Sequence, residues 1–291
     1  MGHPTFVYGR PITPNTKPST VELHKEFQST GVTIIQGELS EHEKLVSIIK
    51  QIDVVISVLG APLLLEQLKI IDAIKIAGNV KRFIPSDFGC EEERITALPP
   101  FQSYLDNRKK IRTATEATGT PFTFVSSTCF GEYFLNFLFH SRDQQSEELT
   151  IYGSGQAKAV LTSEEDIATY TIKVANDPRT CNRIVFYRPP RNIVSQLDLA
   201  SLWEKKTARY FKKVFVSEEE IVKLSETSEH PHNVRAAILH SIFVKGGTTN
   251  FELREDDLEV SKLYPDFDYT TVDHLIDVFL ANAPNFEHAA L

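Results

Sequence analysis

Residues 2–11 read GHPTFVYGRP, and in their middle Thr5–Tyr8 is a short β-rich run that ends at Gly9, Arg10 and Pro11. Outward from it the chain alternates strand and helix signals. Val21–Gly31 has Leu23 and Phe27 at i, i+4 and a closing glycine, so it reads as a helix. Val32–Gln36 is the next strand. The Ser40-x-x-Glu43 spacing predicts a capping box at the head of a helix bearing Leu45, Val46, Ile48 and Ile49. Asp53–Val58 (DVVISV) is the continuous apolar run of a strand buried on both faces. A helix over Leu64–Ala77, a strand at Arg82–Pro85, a charged helix over about Phe101–Thr118 and a strand at Phe122–Ser126 complete the series. This β-α-β-α-β-α-β-α-β order is that of an α/β protein with a doubly wound parallel sheet. Past residue 130 the rhythm breaks into shorter mixed elements: strands at Ile151–Gly155 and Arg183–Tyr187, and helices at Glu164–Ala175, Ser195–Lys206, Ser217–Leu224, Val234–Ile242 and Thr271–Leu280. The chain therefore divides into residues 1–130, a dinucleotide-binding domain, and residues 131–291, a smaller mixed α/β substrate domain.

The end of the opening strand sets the register of the whole sheet. In doubly wound folds a residue at the tip of the second strand meets the adenosine ribose. An acidic residue there suits NAD, and a basic one suits the 2′-phosphate of NADP. Arg10 reads as that second-strand residue, with Lys17 beside it. A glycine-rich turn at the head of a helix normally holds the pyrophosphate, and none precedes Thr5. The glycine pairs Gly153/Gly155 (an expected hairpin turn) and Gly246/Gly247 lie late in the chain. The expectation is thus a sheet lacking its first βα unit, about 25 residues by ordinary element lengths. That strand lies at the centre of the order 3-2-1-4-5-6, so its neighbours are expected to present unpaired edges. Each buried backbone group left without a partner costs roughly 1–3 kcal/mol, against a total stability of about 5–15 kcal/mol.

The net charge of -8 argues against nucleic acid or a membrane surface as partner. No run approaches the length of an apolar membrane span, and the N-terminus has no secretory pattern. Three widely spaced cysteines, Cys90, Cys129 and Cys181, make neither a disulfide framework nor a metal site. These features predict a cytoplasmic protein with reduced thiols and no metal.

The stretches GELSEHEKLVSIIKQIDVVISVLG (37–60), LKIIDAIKIAGNVKRFIPSDFG (68–89), EERITALPPF (92–101) and WEKKTARYFKK (203–213) resemble the plant isoflavone reductase-like, or NmrA-like, reductases. ALPPF (97–101) and AILHSIFVKG (237–246) draw the resemblance towards the eugenol and isoeugenol synthase branch. It covers essentially the whole chain from Gly2. The resemblance implies a Rossmann-type fold and NADPH-dependent reduction of a phenylpropenyl ester such as coniferyl acetate, giving eugenol or isoeugenol. In that chemistry a free para-hydroxyl expels acetate and hydride adds to the side chain of the quinone methide.

Residue by residue, the resemblance places Arg108 at the family's catalytic lysine, counted back from Arg112, Ala114 and Glu116. Arginine does not release a proton near neutral pH, so turnover is expected to be impaired. Lys109 lies about 100° further round the helix and could substitute only with a register shift; with Lys110 it also reads as a solvated basic face. Tyr104 lies one turn before Arg108. Ser57 and Leu59 are expected to border the adenosine and ribose, and Pro85, Ser86 and Phe88 the nicotinamide. Thr128, Cys129 and Phe130 stand where the family has Asn-Cys-Phe. Tyr133, Phe134, Ile238 and Phe243 are candidate walls of a pocket for a small phenolic substrate, although Phe and Tyr on such segments are more often plain core. The competing reading is a catalytically inactive dinucleotide-binding or partner subunit. An unpaired central sheet gives a motive for association, as a homodimer or with full-length subunits.

Overall fold

The computed structural model describes residues 2–139 and 147–281. Its parallel sheet comes in two pieces. β1 (Phe6–Gly9) pairs with β2 (Thr33–Gln36), across which α1 (Pro18–Ser29) makes the connection. After α2 (His42–Ile49), β3 (Val54–Ile56) pairs with β4 (Arg82–Ile84) in the same parallel sense, with α3 (Gln67–Ala77) between them. A bridge from Phe83 to Phe122 carries the sheet past α4 (Pro99–Glu116) to β5 (Thr123–Ser126). β5 then pairs with β9 (Arg183–Phe186), and β9 with β12 (Leu258–Glu259), all parallel. The strands therefore run β2-β1 and β3-β4-β5-β9-β12. Among the described residues no ladder joins β1 to β3.

Burial follows that break. Every residue of β4 and β5 is buried, whereas none of residues 2–36 is. The alternation that makes β4 and β5 central is tied down by side chains as well. Arg82 is 7% exposed and its guanidinium bonds Thr123 Oγ1, Thr180 Oγ1 and the Val174 carbonyl at 2.8, 3.0 and 3.2 Å.

The second half supplies a further set of strands. β6 (Cys129–Phe130) and β10 (Ile193–Ser195) flank β8 (Lys158–Thr162), while β7 (Glu148–Tyr152) pairs with β11 (Lys212–Val216). Helices α5 (Gly131–Phe139), α7 (Gln196–Thr207), α9 (His232–Leu239) and α11 (Val272–Ala281) enclose one apolar cluster with α4. Its members include Phe101, Leu105, Phe134, Trp203, Ile238 and Phe279. α6 (Glu164–Asn176) covers β4 and β5, with Tyr170 fully buried. α8 (Glu218–Thr227) lies on α9, and α10 (Val260–Leu263) follows β12. No helix among the described residues is long and apolar enough to cross a membrane.

Several local expectations change. The capping box at Ser40 does not form: α2 begins after Glu41, whose carboxylate instead accepts from the Glu38 amide at 2.6 Å. The buried face of that helix, Leu45, Val46 and Ile49, is as its periodicity predicts. The helix expected from Leu64 starts as a 3₁₀ segment over Ala61–Glu66, because Pro62 allows a tight first turn, and ends at Gly78 in the left-handed conformation. Gly153 and Gly155 do have positive φ, but β7 pairs with β11 rather than returning on β8, so their turn is not a hairpin. After α9 the chain widens into a π-helical turn over His240–Val244.

Candidate functional site

The carboxyl ends of β3, β4 and β5 lie side by side, where ligands of doubly wound sheets bind. At the end of β3, Ser57 is buried; its amide donates to the Ile84 carbonyl at 2.9 Å, while its hydroxyl has no partner. Half-buried Leu59 offers its carbonyl to Ser86 Oγ at 2.7 Å, which ties the β3 and β4 loops together. Pro85 is buried, and Ser86 and Phe88 are partly so. The loop after β5 closes on the same place, since the Thr128 amide donates to the Gly89 carbonyl at 2.9 Å. Thr128 has a φ of 64°, and its hydroxyl is taken up inside, within reach of the Ser127 and Val160 carbonyls and Thr162 Oγ1. Cys129 is buried, with its thiol pushed up by burial, and Phe130 is 36% exposed. Arg10 and Lys17 are exposed, on either side of the turn from β1 into α1. α1 opens with Pro18 and has no acidic residue in its first turn, so its positive end is free to face an anion beside those two cations.

Behind these loops is a buried ionic cluster. Arg108 and Arg112, four apart on α4, project from one helix face, and meet Asp87, Glu91 and Glu92; all five are buried. Arg108 donates to Asp87 Oδ1 from Nε and Nη2 at 3.1 and 2.9 Å, to the Asp87 carbonyl, and to the Cys90 carbonyl at 3.0 Å. Arg112 reaches Asp87 Oδ2 at 2.6 Å and Glu91 Oε1 at 2.6 Å, and its guanidinium lies 4.9 Å above the Phe124 ring. Glu92 lies 3.3 Å from Arg108 Nη2 and 2.7 Å from Arg112 Nε, yet neither of its oxygens has a hydrogen bond of good geometry.

The cluster holds two cations and three carboxylates, and burial resolves the imbalance at Glu92. Desolvation raises its carboxyl to about 8, helped by Asp87 and only partly opposed by Arg108 and Arg112. Burial also disfavours ionised Asp87, but the two guanidiniums outweigh it and hold that group below the usual carboxylate range. Both arginines are held charged by the same carboxylates against their own desolvation. Arg108 thus points its donors into the protein. Lys109 is partly exposed, and Lys110 is exposed with Nζ 3.1 Å from Asn107 Oδ1, as on a solvated face.

A separate crevice opens between α5 and α9, lined by Tyr133, Phe134, Phe137, Arg235, Ile238 and Leu239. The structure brings three of the four expected pocket residues to it. Phe243 lies one layer deeper, 5.9 Å from Phe134 between ring centroids and 1% exposed. Arg235 had no signal in the sequence beyond its charge. It lies on the same face of α9 as Ile238 and Leu239, at i+3 and i+4. The buried acids Asp87, Glu91 and Glu92 escaped notice because carboxylates in a loop are ordinarily solvated. Their spacing to one another and the Arg108/Arg112 pair was the available sign. Among the described residues no group of histidine, cysteine and acidic side chains is arranged to hold a metal ion.

The family model described as "NmrA-like family" matches residues 1–276. Isoeugenol synthase 1 of Petunia hybrida is 56% identical over 98% of this chain and 88% of its own length. Isoeugenol synthase 1 of Clarkia breweri is 55% identical over 97% and 89%. Eugenol synthase 1 of Petunia hybrida is 45% identical over 96% and 91%. Among solved structures, that of an isoflavone reductase superposes with a TM-score of 0.89 at 39% identity, over 96% of this chain and 92% of the other. The binary complex of Vitis vinifera leucoanthocyanidin reductase with NADPH gives 0.88 at 31% identity, with 96% and 92% covered.

Proposed function

The chain belongs to the NmrA-like family, with the Rossmann-type fold of the isoflavone reductase-like proteins, and from that premise we propose an NADPH-dependent reductase of phenylpropenyl esters whose product is isoeugenol. The observation that carries the reading is the contrast within one plant: 56% identity to the Petunia isoeugenol synthase against 45% to its eugenol synthase. Residues 1–130 serve the cofactor in this reading, and 131–291 the substrate.

The residues present suit both ends of NADPH. Arg10, Lys17 and the unopposed start of α1 suit the 2′-phosphate. The unpartnered Ser57 hydroxyl and Leu59 stand where the ribose would lie, and Pro85, Ser86, Phe88 and the 128–130 loop border the nicotinamide side. When bound, the cofactor supplies hydride. The protein's part is to exclude water with Phe88 and Phe130, to orient the phenol, and to favour its ionised oxygen. The electron pair of that oxygen moves through the ring as the bond to the ester oxygen breaks and acetate leaves. One ester and one NADPH would thus give one propenylphenol, one acetate and one NADP⁺, the proton given up when the phenol ionises returning to its oxygen at the end.

Arg108 takes no proton in this scheme. Its donors are committed to Asp87 and Cys90, and a guanidinium does not titrate in the working range. Turnover is therefore impaired in our reading. The same locked arginine favours a second one, a subunit that binds dinucleotide without turning it over. Titration of the purified chain with NADPH beside NADH, followed by incubation with coniferyl acetate, separates them. Saturable NADPH preference with isoeugenol formed supports the enzyme. Binding without product supports the inactive subunit, and eugenol as sole product refutes the assigned product.

A further inference from the structure

We infer that the outer edge of β11 pairs with the same edge of a second copy of this chain, antiparallel about Val214, to give a weak two-fold dimer. β11 reads KKVFV, and one of its edges is taken by β7. The Lys212 amide donates to the Glu147 carbonyl at 2.8 Å, and the Val216 carbonyl accepts from the Gly153 amide at 2.8 Å. Along a strand the amide and carbonyl of successive residues turn to opposite edges. Lys212, Val214 and Val216 are therefore spent on β7, while the amides and carbonyls of Lys213 and Phe215 face away from it. No described strand lies on that side. The edge carries no proline, and Val214 and Phe215 are 37% and 54% exposed, close in sequence to Tyr210 at 85%. Lysines often guard such an edge, but here Lys212 and Lys213 are already bridged to Glu148 and Glu204, each at 2.7 Å.

The residues around this edge suit a copy of themselves. A two-fold axis at Val214 sets Lys213 opposite the second copy's Phe215, and Phe215 opposite its Lys213. These are the outward-facing residues, so each pair exchanges both of its backbone N–H···O bonds. No lysine meets a lysine across the ladder, Val214 packs on its own counterpart, and a lysine facing an aromatic ring is a favourable cross-strand contact. The flanks agree in charge. Arg209 and Lys212 precede the centre, and the exposed Glu219 and Glu220 follow it. Antiparallel pairing brings the basic end of each strand to the acidic end of the other, whereas parallel pairing would set like charges together. The contact also closes on itself, as a two-fold interface must. Stable interfaces bury about 1,200–2,000 Å², more than one short strand supplies, so the association is weak and depends on concentration.

The test is sedimentation equilibrium of the full chain from about 1 to about 500 µM, for wild type, Phe215→Glu, Phe215→Lys and Phe215→Pro, with thermal melts to show that each variant is folded. The wild type should pass from monomer to dimer across that range. Glutamate and lysine remove the same ring, so an unspecific apolar contact would lose both variants alike. In the inferred register Phe215→Glu meets the opposite charge of Lys213 and Phe215→Lys meets a like one. The lysine variant should therefore dimerise at least about tenfold more weakly than the glutamate variant. Phe215→Pro removes an outward N–H and no bond to β7, and should stay monomeric. Val214→Cys checks the register independently: at a non-hydrogen-bonded pair the two thiols lie within disulfide reach. Oxidised glutathione should link them, releasing two glutathione thiols, and should leave Phe215→Cys unlinked. A wild type that is monomeric at every concentration overturns the inference. So does equal dimerisation of the glutamate and lysine variants, or undiminished dimerisation of a folded Phe215→Pro chain.

Discussion

Replacing Glu92 by glutamine should make the protein more stable at high pH and change it little at low pH. Glu92 is fully buried, and its carboxyl ionises at about 8 in the folded state, raised by desolvation and by Asp87. In the unfolded chain it ionises near its ordinary value of about 4.3. Between those two pH values the folded state holds a proton that the unfolded state has released. Stability therefore falls as pH rises, by about 1.4 kcal/mol per pH unit. The effect is fully spent above pH 8, and over the whole window it reaches roughly 4–5 kcal/mol. Glutamine has the shape of the protonated acid and no such slope. Urea unfolding of wild type and Glu92→Gln at pH 5, 6.5 and 8 reads the difference. The variant should lie within about 1 kcal/mol of wild type at pH 5 and gain at least about 2 kcal/mol on it by pH 8. Parallel stability curves would refute the reasoning, and so would a variant weaker by a constant amount, because either result would mean that Glu92 is ionised throughout.

Arg112→Met should cost about 3–5 kcal/mol in the same unfolding assay, since Asp87 and Glu91 lose their shortest partner in a buried place. Arg10→Glu should weaken NADPH binding by about tenfold or more and leave NADH nearly unchanged, as followed by cofactor fluorescence. Gly131→Ala should destabilise by about 1–3 kcal/mol: its Cβ would run into Leu275 Cδ2 and lie 3.1 Å from the Thr162 carbonyl oxygen, so the buried Leu275 side chain must repack to admit it.

Much of the sheet was legible because its signals are local. The glycine after Ala77 reports a helix end and the apolar run at 53–58 a strand without reference to the rest of the chain. Burial on both faces does not follow: β3 is only Val54–Ile56, partly buried, and Val58 is 78% exposed, because no described strand pairs with its other edge. Ser195 and Ser217 likewise begin helices with capping boxes to Asp198 and Glu220. Ser40 and Glu43 carry the same spacing and fail, since Glu41 reaches back to the Glu38 amide first. Two neighbouring solutions competed, and the pattern alone does not rank them. Strand partners were less legible: nothing near Gly153 tells that β7 would pair with a strand some 60 residues on. The site divides in the same way. Tyr133, Phe134 and Ile238 meet as their apolar character suggested, whereas the fate of Arg108 depends on three acids folded onto it from another loop. Charge in sequence says nothing about burial, and here burial changes what the arginine can do.

The break between β1 and β3 also bears on how this protein's unfolding is watched. Residues 2–36 contribute no buried residue, and their ladder ends at β1. With so little apolar surface removed from water, this unit should open at a free energy far below that of the whole. The single tryptophan, Trp203, is packed between Phe139 and Phe279 in the opposite half. A melt followed by tryptophan emission would therefore register one sharp transition and miss the earlier one. Amide exchange at Val7 and Ile34, or cleavage in the turn at residues 10–17, would record the opening of this unit while the fluorescence still reported a native protein.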